Sequence, residues 1–217
     1  MASTLALTLA APAIVVGVPV MFKIAEAQTK AELARHKRER NKRKDGPFTE
    51  YWEKGKKSSG KRAEGTFKNK ELDGLYKQWW PSGRKWKEEQ WEEGKLVSST
   101  SWHENGQKRW EACYKVGKEH GHSVVWHENG QKSWDCHYED GKMEGPAVRW
   151  YDNGRKRWEC RFIEDKENGH CTLWHSNGRK WWEGYYKDGK EDGFSIYWHE
   201  NGRKEGEGKG RKPEKTE

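Results

Sequence analysis

The chain repeats itself every 24 residues, and this periodicity constrains the fold more than any other feature. From Gly130 the pattern runs Gly, Lys at plus 2, Trp at plus 4, Tyr or Phe at plus 8, Gly at plus 11, Gly at plus 15 and Trp at plus 20. Asn105-Gly106, Asn129-Gly130, Asn153-Gly154, Asn177-Gly178 and Asn201-Gly202 mark the starts, and Ser82-Gly83 and Ser59-Gly60 continue the phase with gaps of 23. Self-similarity at such a period means stacked supersecondary units, each burying its apolar side against its neighbours. The clearest copies lie between Tyr51 and Gly202.

Each repeat reads as a β-hairpin. Asn-Gly is a strong hairpin signal because a type I′ turn needs positive φ at both central residues, and these two tolerate it. A β-prone run such as Ser123-Val124-Val125-Trp126 or Ser195-Ile196-Tyr197-Trp198 precedes the turn, and Lys132 to Tyr138 or Lys156 to Phe162 follows it. A second, longer Gly-bounded turn, Gly141 to Gly145 or Gly189 to Gly193, leads to the next hairpin. The expected fold is therefore all-β: a single elongated antiparallel meander sheet of stacked β-hairpins, preceded by an N-terminal apolar helix.

Alternation along each strand sorts the faces. Trp110, Trp134, Trp158 and Trp182 share a side with Tyr114, Tyr138, Phe162 and Tyr186, with the small Ala112, Cys136, Cys160 or Gly184 between them. The first strand places Trp126, Trp150, Trp174 and Trp198 with Val124, Val148, Thr172 and Ile196. Glu111, Asp135, Glu159 and Glu183 fall on the other, polar face, so the indoles are expected to line up along one side. With Gly106, Gly130, Gly154 and Gly178 at the turns, these aromatic positions make up the structural repeat.

The signature Trp-His-Glu-Asn-Gly-Gln-Lys-x-Trp-(Glu/Asp)-x-x-Tyr-x-x-Gly-Lys-x-x-Gly resembles the MORN repeat variant, a relative of the membrane occupation and recognition nexus repeat. The form is that of bacterial proteins commonly classed as antitoxin-like, and it covers about two-thirds of the chain. The resemblance implies a MORN-like sheet that binds another protein, a toxin in the antitoxin-like case. This chain differs in having Trp at most positions where such repeats often place Tyr.

Ahead of the repeats, Thr4 to Phe22 is an uncharged run of Leu, Ala, Ile, Val and Pro, long enough to span a bilayer. Ala25-Glu26-Ala27 offers small residues for secretory cleavage, but Met1 to Thr4 holds no Lys or Arg. The basic residues follow the apolar run, which favours an uncleaved anchor with the repeats in the cytoplasm; export after signal cleavage is the alternative. From Lys23 to Asp45 nine Lys or Arg face four Asp or Glu, so this segment carries +5 of the formal +8. Ile24 to Arg35 suits a helix. Beside an apolar segment, Arg35, Lys37, Arg38, Arg40, Lys42, Arg43 and Lys44 suit anionic lipid head groups, at about 1 kcal/mol each. Nucleic-acid contact is the lesser reading. The chain thus divides into an apolar anchor or signal (1–22), a basic segment (23–46), the repeats (47–206) and a charged tail (207–217) that cannot bury enough apolar surface to order itself.

Nearly all of the 15 Trp residues sit at repeat-fixed positions, as a structural ladder requires. Trp80, Trp86 and Trp181 are offset from it and are the candidate partner-binding residues. His103, His127, His175 and His199 recur three residues before the repeat Gly, with Tyr151 in one repeat. Equivalent positions of successive hairpins lie two strand spacings apart, about 9.5 Å, too far to share an ion at Zn–N distances near 2 Å. They read as turn-flanking residues that help close the hairpin, and no metal or cofactor is expected. The same spacing separates Cys136 from Cys160, and Cys113 and Cys171 fall in other registers, so four free thiols are expected. There is no Gly-rich phosphate loop, nucleophile elbow or HExxH, and enzymatic activity is not expected. The reading is a non-enzymatic protein-binding scaffold tethered to a membrane. Alternatives are a lipid-surface binding module and an aromatic platform for single-stranded nucleic acid or glycan.

Overall fold

The computed structural model describes residues 44–53 and 60–209, which form strands and turns. The apolar helix, the basic residues up to Arg43 and residues 210–217 lie outside the described residues, among which no helix is long and apolar enough to cross a membrane.

The first hairpin is β1 (Gly46–Tyr51) with β2 (Lys61–Lys68). After the two-residue β3 (Glu71–Leu72) come β4 (Gly74–Trp79) with β5 (Lys85–Glu92), β6 (Lys95–Trp102) with β7 (Lys108–Lys115), and β8 (Lys118–Trp126) with β9 (Lys132–Glu139). The short β10 (Lys142–Met143) leads into β11 (Gly145–Trp150) with β12 (Lys156–Ile163), and β13 (Lys166–Glu167) into β14 (Gly169–Trp174) with β15 (Lys180–Lys187). Last come β16 (Lys190–Glu191) and the hairpin of β17 (Phe194–Trp198) with β18 (Lys204–Lys209). The second strand of each hairpin also pairs with the first strand of the next, so one antiparallel sheet of stacked hairpins runs from β1 to β18. Strand β18 continues past Gly206, into the stretch expected to be tail, because its backbone completes a ladder with β17.

The Asn-Gly turns close the hairpins, but not as type I′ turns. The Gly106 N–H donates to the His103 carbonyl and the His103 N–H to the Gln107 carbonyl, both at 2.9 Å. Gly106 has φ 92°, whereas Asn105 keeps negative φ. This is a three-residue loop, a type I turn followed by glycine in the left-handed region. The Asn side chain selects it: Asn105 Oδ1 accepts the Gln107 N–H at 2.9 Å, a bond repeated at Asn129, Asn153, Asn177 and Asn201. The turns with positive φ at both central residues lie at the opposite edge, at Asn69-Lys70, Glu93-Gly94, Val116-Gly117, Asp140-Gly141, Glu164-Asp165 and Asp188-Gly189. What reads in sequence as one longer turn, Gly141 to Gly145, is a two-residue turn closed by Lys142 opposite Glu139, then a short ladder and a bulge at Glu144-Gly145.

Cross-strand register places the two indole files on opposite faces rather than along one side. Val125 pairs with Trp134 and Ser123 with Cys136, whereas Val124 pairs with Asp135. Trp126, on the Val124 side, therefore shares the acidic face, as do Trp150, Trp174 and Trp198. The inner face carries the buried Trp110, Trp134, Trp158 and Trp182. A band of small residues runs between these indoles and the second ring of each repeat, because the indole lies across it: a Cβ at Gly184 would meet Trp182 Cζ2 at 2.5 Å. On the outer face Lys132 Nζ bonds Asp135 Oδ2 at 2.6 Å and sits 5.9 Å from the centre of the Trp150 ring in the next repeat. The same pairing recurs at Lys108, Lys156 and Lys180.

Two cysteines are not free. Cys160 and Cys171 form a disulfide, with Cα atoms 4.3 Å apart, because the junction of β12 and β14 sets the second strand of one hairpin against the first strand of the next. Only cysteines at equivalent positions are held two strands apart. Cys136 is buried, and burial pushes its thiol up to about 12, while Cys113 is exposed. Alkylation of the native, unreduced chain near pH 8 should therefore label Cys113 alone. Cys136 should react only after unfolding, and Cys160 and Cys171 only after reduction; four reactive thiols in unfolded, unreduced protein would refute the bridge. Asn153→Ala removes the turn bond and the bond from Asn153 Nδ2 to the Ser176 carbonyl, 2.9 Å long. It should lower stability in urea unfolding by about 1 kcal/mol, and an unchanged midpoint would exclude a stabilising role for this side chain.

Candidate binding surface

The turn edge is a ladder between repeats. His103 Nε2 donates to the Trp126 carbonyl at 3.0 Å, His127 Nε2 to that of Trp150 at 3.2 Å and His175 Nε2 to that of Trp198 at 3.0 Å, while the Tyr151 hydroxyl donates to that of Trp174 at 2.8 Å. These side chains reach forward to the next hairpin rather than closing their own. Among the described residues no group of three His, Cys, Asp or Glu side chains is placed to hold a metal ion.

Trp80 occupies the same turn position, its N–H donating to the Arg84 carbonyl at 2.8 Å. It packs against Trp86 with ring centres 5.4 Å apart, and Trp181 packs against His175 at 6.1 Å. All three offset tryptophans are half-buried beside turns. Trp80 and Trp86 meet within one hairpin; Trp181 lies in β15 and does not join them.

The inner face is interrupted by polar side chains in β5 and β11. In β5, Lys87 and Glu89 stand where later repeats have Trp and a small residue, and Lys87 Nζ meets Glu89 Oε1 at 2.6 Å with the side chains 8% and 2% exposed. Trp91 Nε1 donates to the other carboxylate oxygen at 3.1 Å, and Gln78 Nε2 to the Tyr76 hydroxyl at 2.7 Å. Arg149 in β11 lies over the Trp134 ring at 5.2 Å, its pKa lowered first by burial and then by Arg157. These groups are enclosed by neighbouring strands and serve the packing of the sheet.

The outer face differs at one level, where the repeat does not fix the residue. His122 pairs with His137, Pro146 with Arg161 and His170 with Tyr185 across the hairpins. Extending the junction registers by two residues puts His170 beside Arg161 and Phe194 beside Tyr185. The result is a row crossing successive strands, with the His122 and His137 rings 5.7 Å apart and the His170 and Tyr185 rings 5.2 Å apart. Tyr185 and Phe194 are 57% and 60% exposed, unlike the aromatic residues of the inner file. Sequence reasoning missed this row because it followed what recurs; the signal is the position that fails to recur within an otherwise regular strand.

Lys87→Met alone should cost about 3 kcal/mol, because it leaves the Glu89 carboxylate buried without its cation. Lys87→Met with Glu89→Gln, which removes both charges and keeps an acceptor for Trp91, should recover most of that loss. Equal destabilisation of the single and double variants in urea unfolding would show that the pair is not coupled.

Compared with models of known protein families the chain matches none, and no curated protein matches it.

Proposed function

We propose that this protein is a non-enzymatic docking scaffold for another protein, held at a membrane through its N-terminal segment. The observation that supports docking is the outer row, where side chains change from repeat to repeat and Tyr185 and Phe194 remain exposed. A lattice of identical positions offers a partner many equivalent registers; one that changes along its length offers a single best one. The surface fits a partner that brings apolar side chains to Tyr185 and Phe194 and an acceptor to Arg161. The outer indoles are less suited to stacking on bases or sugars, since lysines sit over their rings.

The membrane half of the reading rests on sequence: the apolar run from Thr4 to Phe22 and the basic cluster from Arg35 to Lys44. The resemblance of the 24-residue unit to the MORN repeat variant of antitoxin-like proteins adds a toxin as the kind of partner to seek.

The test compares full-length protein with Tyr185→Ala/Phe194→Ala as bait in extracts of the source cell. Both side chains are more than half exposed, and retention is compared once the variant shows the parent's β-sheet circular dichroism. A protein retained by the parent and at least ten-fold less by the variant is the expected result. Equal retention would move docking elsewhere on the sheet. Capture of phosphatidylserine vesicles with no retained protein would replace this reading with that of a lipid-surface module.

A further inference from the structure

The two ends of the sheet are the separated halves of a junction that the chain makes internally six times. At each such junction a second strand pairs with the following first strand, and at the five from β5 onwards turn side chains reach across. For β15 and β17, His175 Nε2 donates to the Trp198 carbonyl at 3.0 Å, Asn177 Nδ2 to the Glu200 carbonyl at 2.8 Å, and Lys180 Nζ sits 5.7 Å from the centre of the Trp198 ring. Among the described residues β18 is a second strand with no following first strand, and β1 is a first strand with no preceding second one.

The unmatched halves correspond position by position. On β18 and its turn, His199, Asn201 and Lys204 hold the places of His175, Asn177 and Lys180; at β1, Tyr51 and Glu53 hold the places of Trp198 and Glu200. The His199 side chain is 55% exposed, against 16% for His175 and 13% for His103, whose following repeats cover them. The Trp52 N–H donates inward to the Gly60 carbonyl, so alternation turns the peptide groups of Tyr51 and Thr49 towards the open edge. Glu207 takes the place of Glu183, which pairs with Ile196 of the next repeat, and Thr49 takes the place of Ile196. On the inner face, Gly206 and Gly208 replace Trp182 and Gly184, a Cβ at Gly206 would meet nothing within 4 Å, and Phe48 keeps its own place against Phe67, ring centres 4.8 Å apart.

We infer that the partner of the β18 edge is the β1 edge of a second copy of this chain, so that molecules join head to tail and the sheet continues from one into the next. Glu207 of one copy faces Thr49 of the other, and His199 and Asn201 find the carbonyls that their counterparts find internally. The contact uses different patches on the two molecules, so each pair keeps one free edge of either kind and growth does not close at a dimer. This inference is independent of the docking row, which lies on the outer face and remains open in the assembly.

Full-length chain in a mild non-ionic detergent, followed by sedimentation over a hundred-fold concentration range, tests it. Thr49→Pro removes one outward N–H and Glu207→Pro does the same at the other end. The parent should gain mass with concentration, and each variant alone should stay near the single-chain protein mass of 25.6 kDa. An equimolar mixture should form a two-chain species and nothing larger, because one intact edge of each kind remains. A parent that stays single at every concentration would overturn the inference, whether residues 1–43 or another protein's strand covers β1. Variants that assemble like the parent, or a mixture that stays single while both keep the parent's β-sheet circular dichroism, would do the same. Should either proline variant lose that spectrum, Thr49→Cys and Glu207→Cys copies mixed under oxidised glutathione decide: a disulfide-linked dimer that requires both supports the contact, and its absence refutes it.

Discussion

The interaction on which the rest of the structure depends is the burial of an indole sideways, against its own strand and the next repeat, in a sheet whose inner face no other layer covers among the described residues. Removing such a ring from water is worth about 2 to 3 kcal/mol, and it needs neighbours at the right height. Trp182 lies across Gly184, and Trp134 places its Nε1 2.9 Å from Cys136 Sγ, so the residue two places after each indole has to be small. The Trp134 and Trp158 rings are stacked with centres 5.6 Å apart, well inside the two-strand spacing of about 9.5 Å. The inner side chains therefore converge, and a repeat in isolation would lack half of this cover.

Stability of this kind belongs to junctions more than to hairpins, as in other repeat arrays where each unit touches only its neighbours. Three different chemistries hold one junction: rings on the inner face, forward hydrogen bonds from His, Tyr and Asn along the turn edge, and lysines set over the next indole on the outer face. The turn-edge bonds repeat at 23-residue separation and fix the register directly, which matters because a slip of one residue would turn every indole to the wrong side. One junction is also covalent. In the chain-entropy picture a bridge closing a loop this short, with a sequence separation of 11, adds about 3 kcal/mol.

The hairpins, the small-residue band and the sharing of a face by Trp134, Cys136 and Tyr138 were legible from period and alternation alone, because they depend on contacts within one strand. What escaped depends on pairing between strands. Trp126 and Trp134 fall on opposite faces because Val124 meets Asp135, a register that alternation within each strand leaves undetermined. The Cys160–Cys171 bridge escaped for the same reason: comparing a cysteine with its own counterpart one repeat on overlooks the unlike strand that lies between. The turn type escaped because the Asn105 side chain bonds the Gln107 N–H and so removes the need for positive φ at Asn itself.

Departures from the repeat are accommodated differently on the two faces. On the inner face a departure must be satisfied in place: Lys87 and Glu89 depart together and bond each other, and Arg149 lies against an indole. Each is explained by packing, and none presents a group to the outside. On the outer face the succession His122, His137, Pro146, Arg161, His170, Tyr185 and Phe194 makes partial contacts, His122 against His137 and His170 against Tyr185, that still leave Tyr185 and Phe194 more than half exposed. Exposed rings cost solubility and invite nonspecific contact. In an otherwise regular lattice they mark the positions that the repeat itself does not dictate.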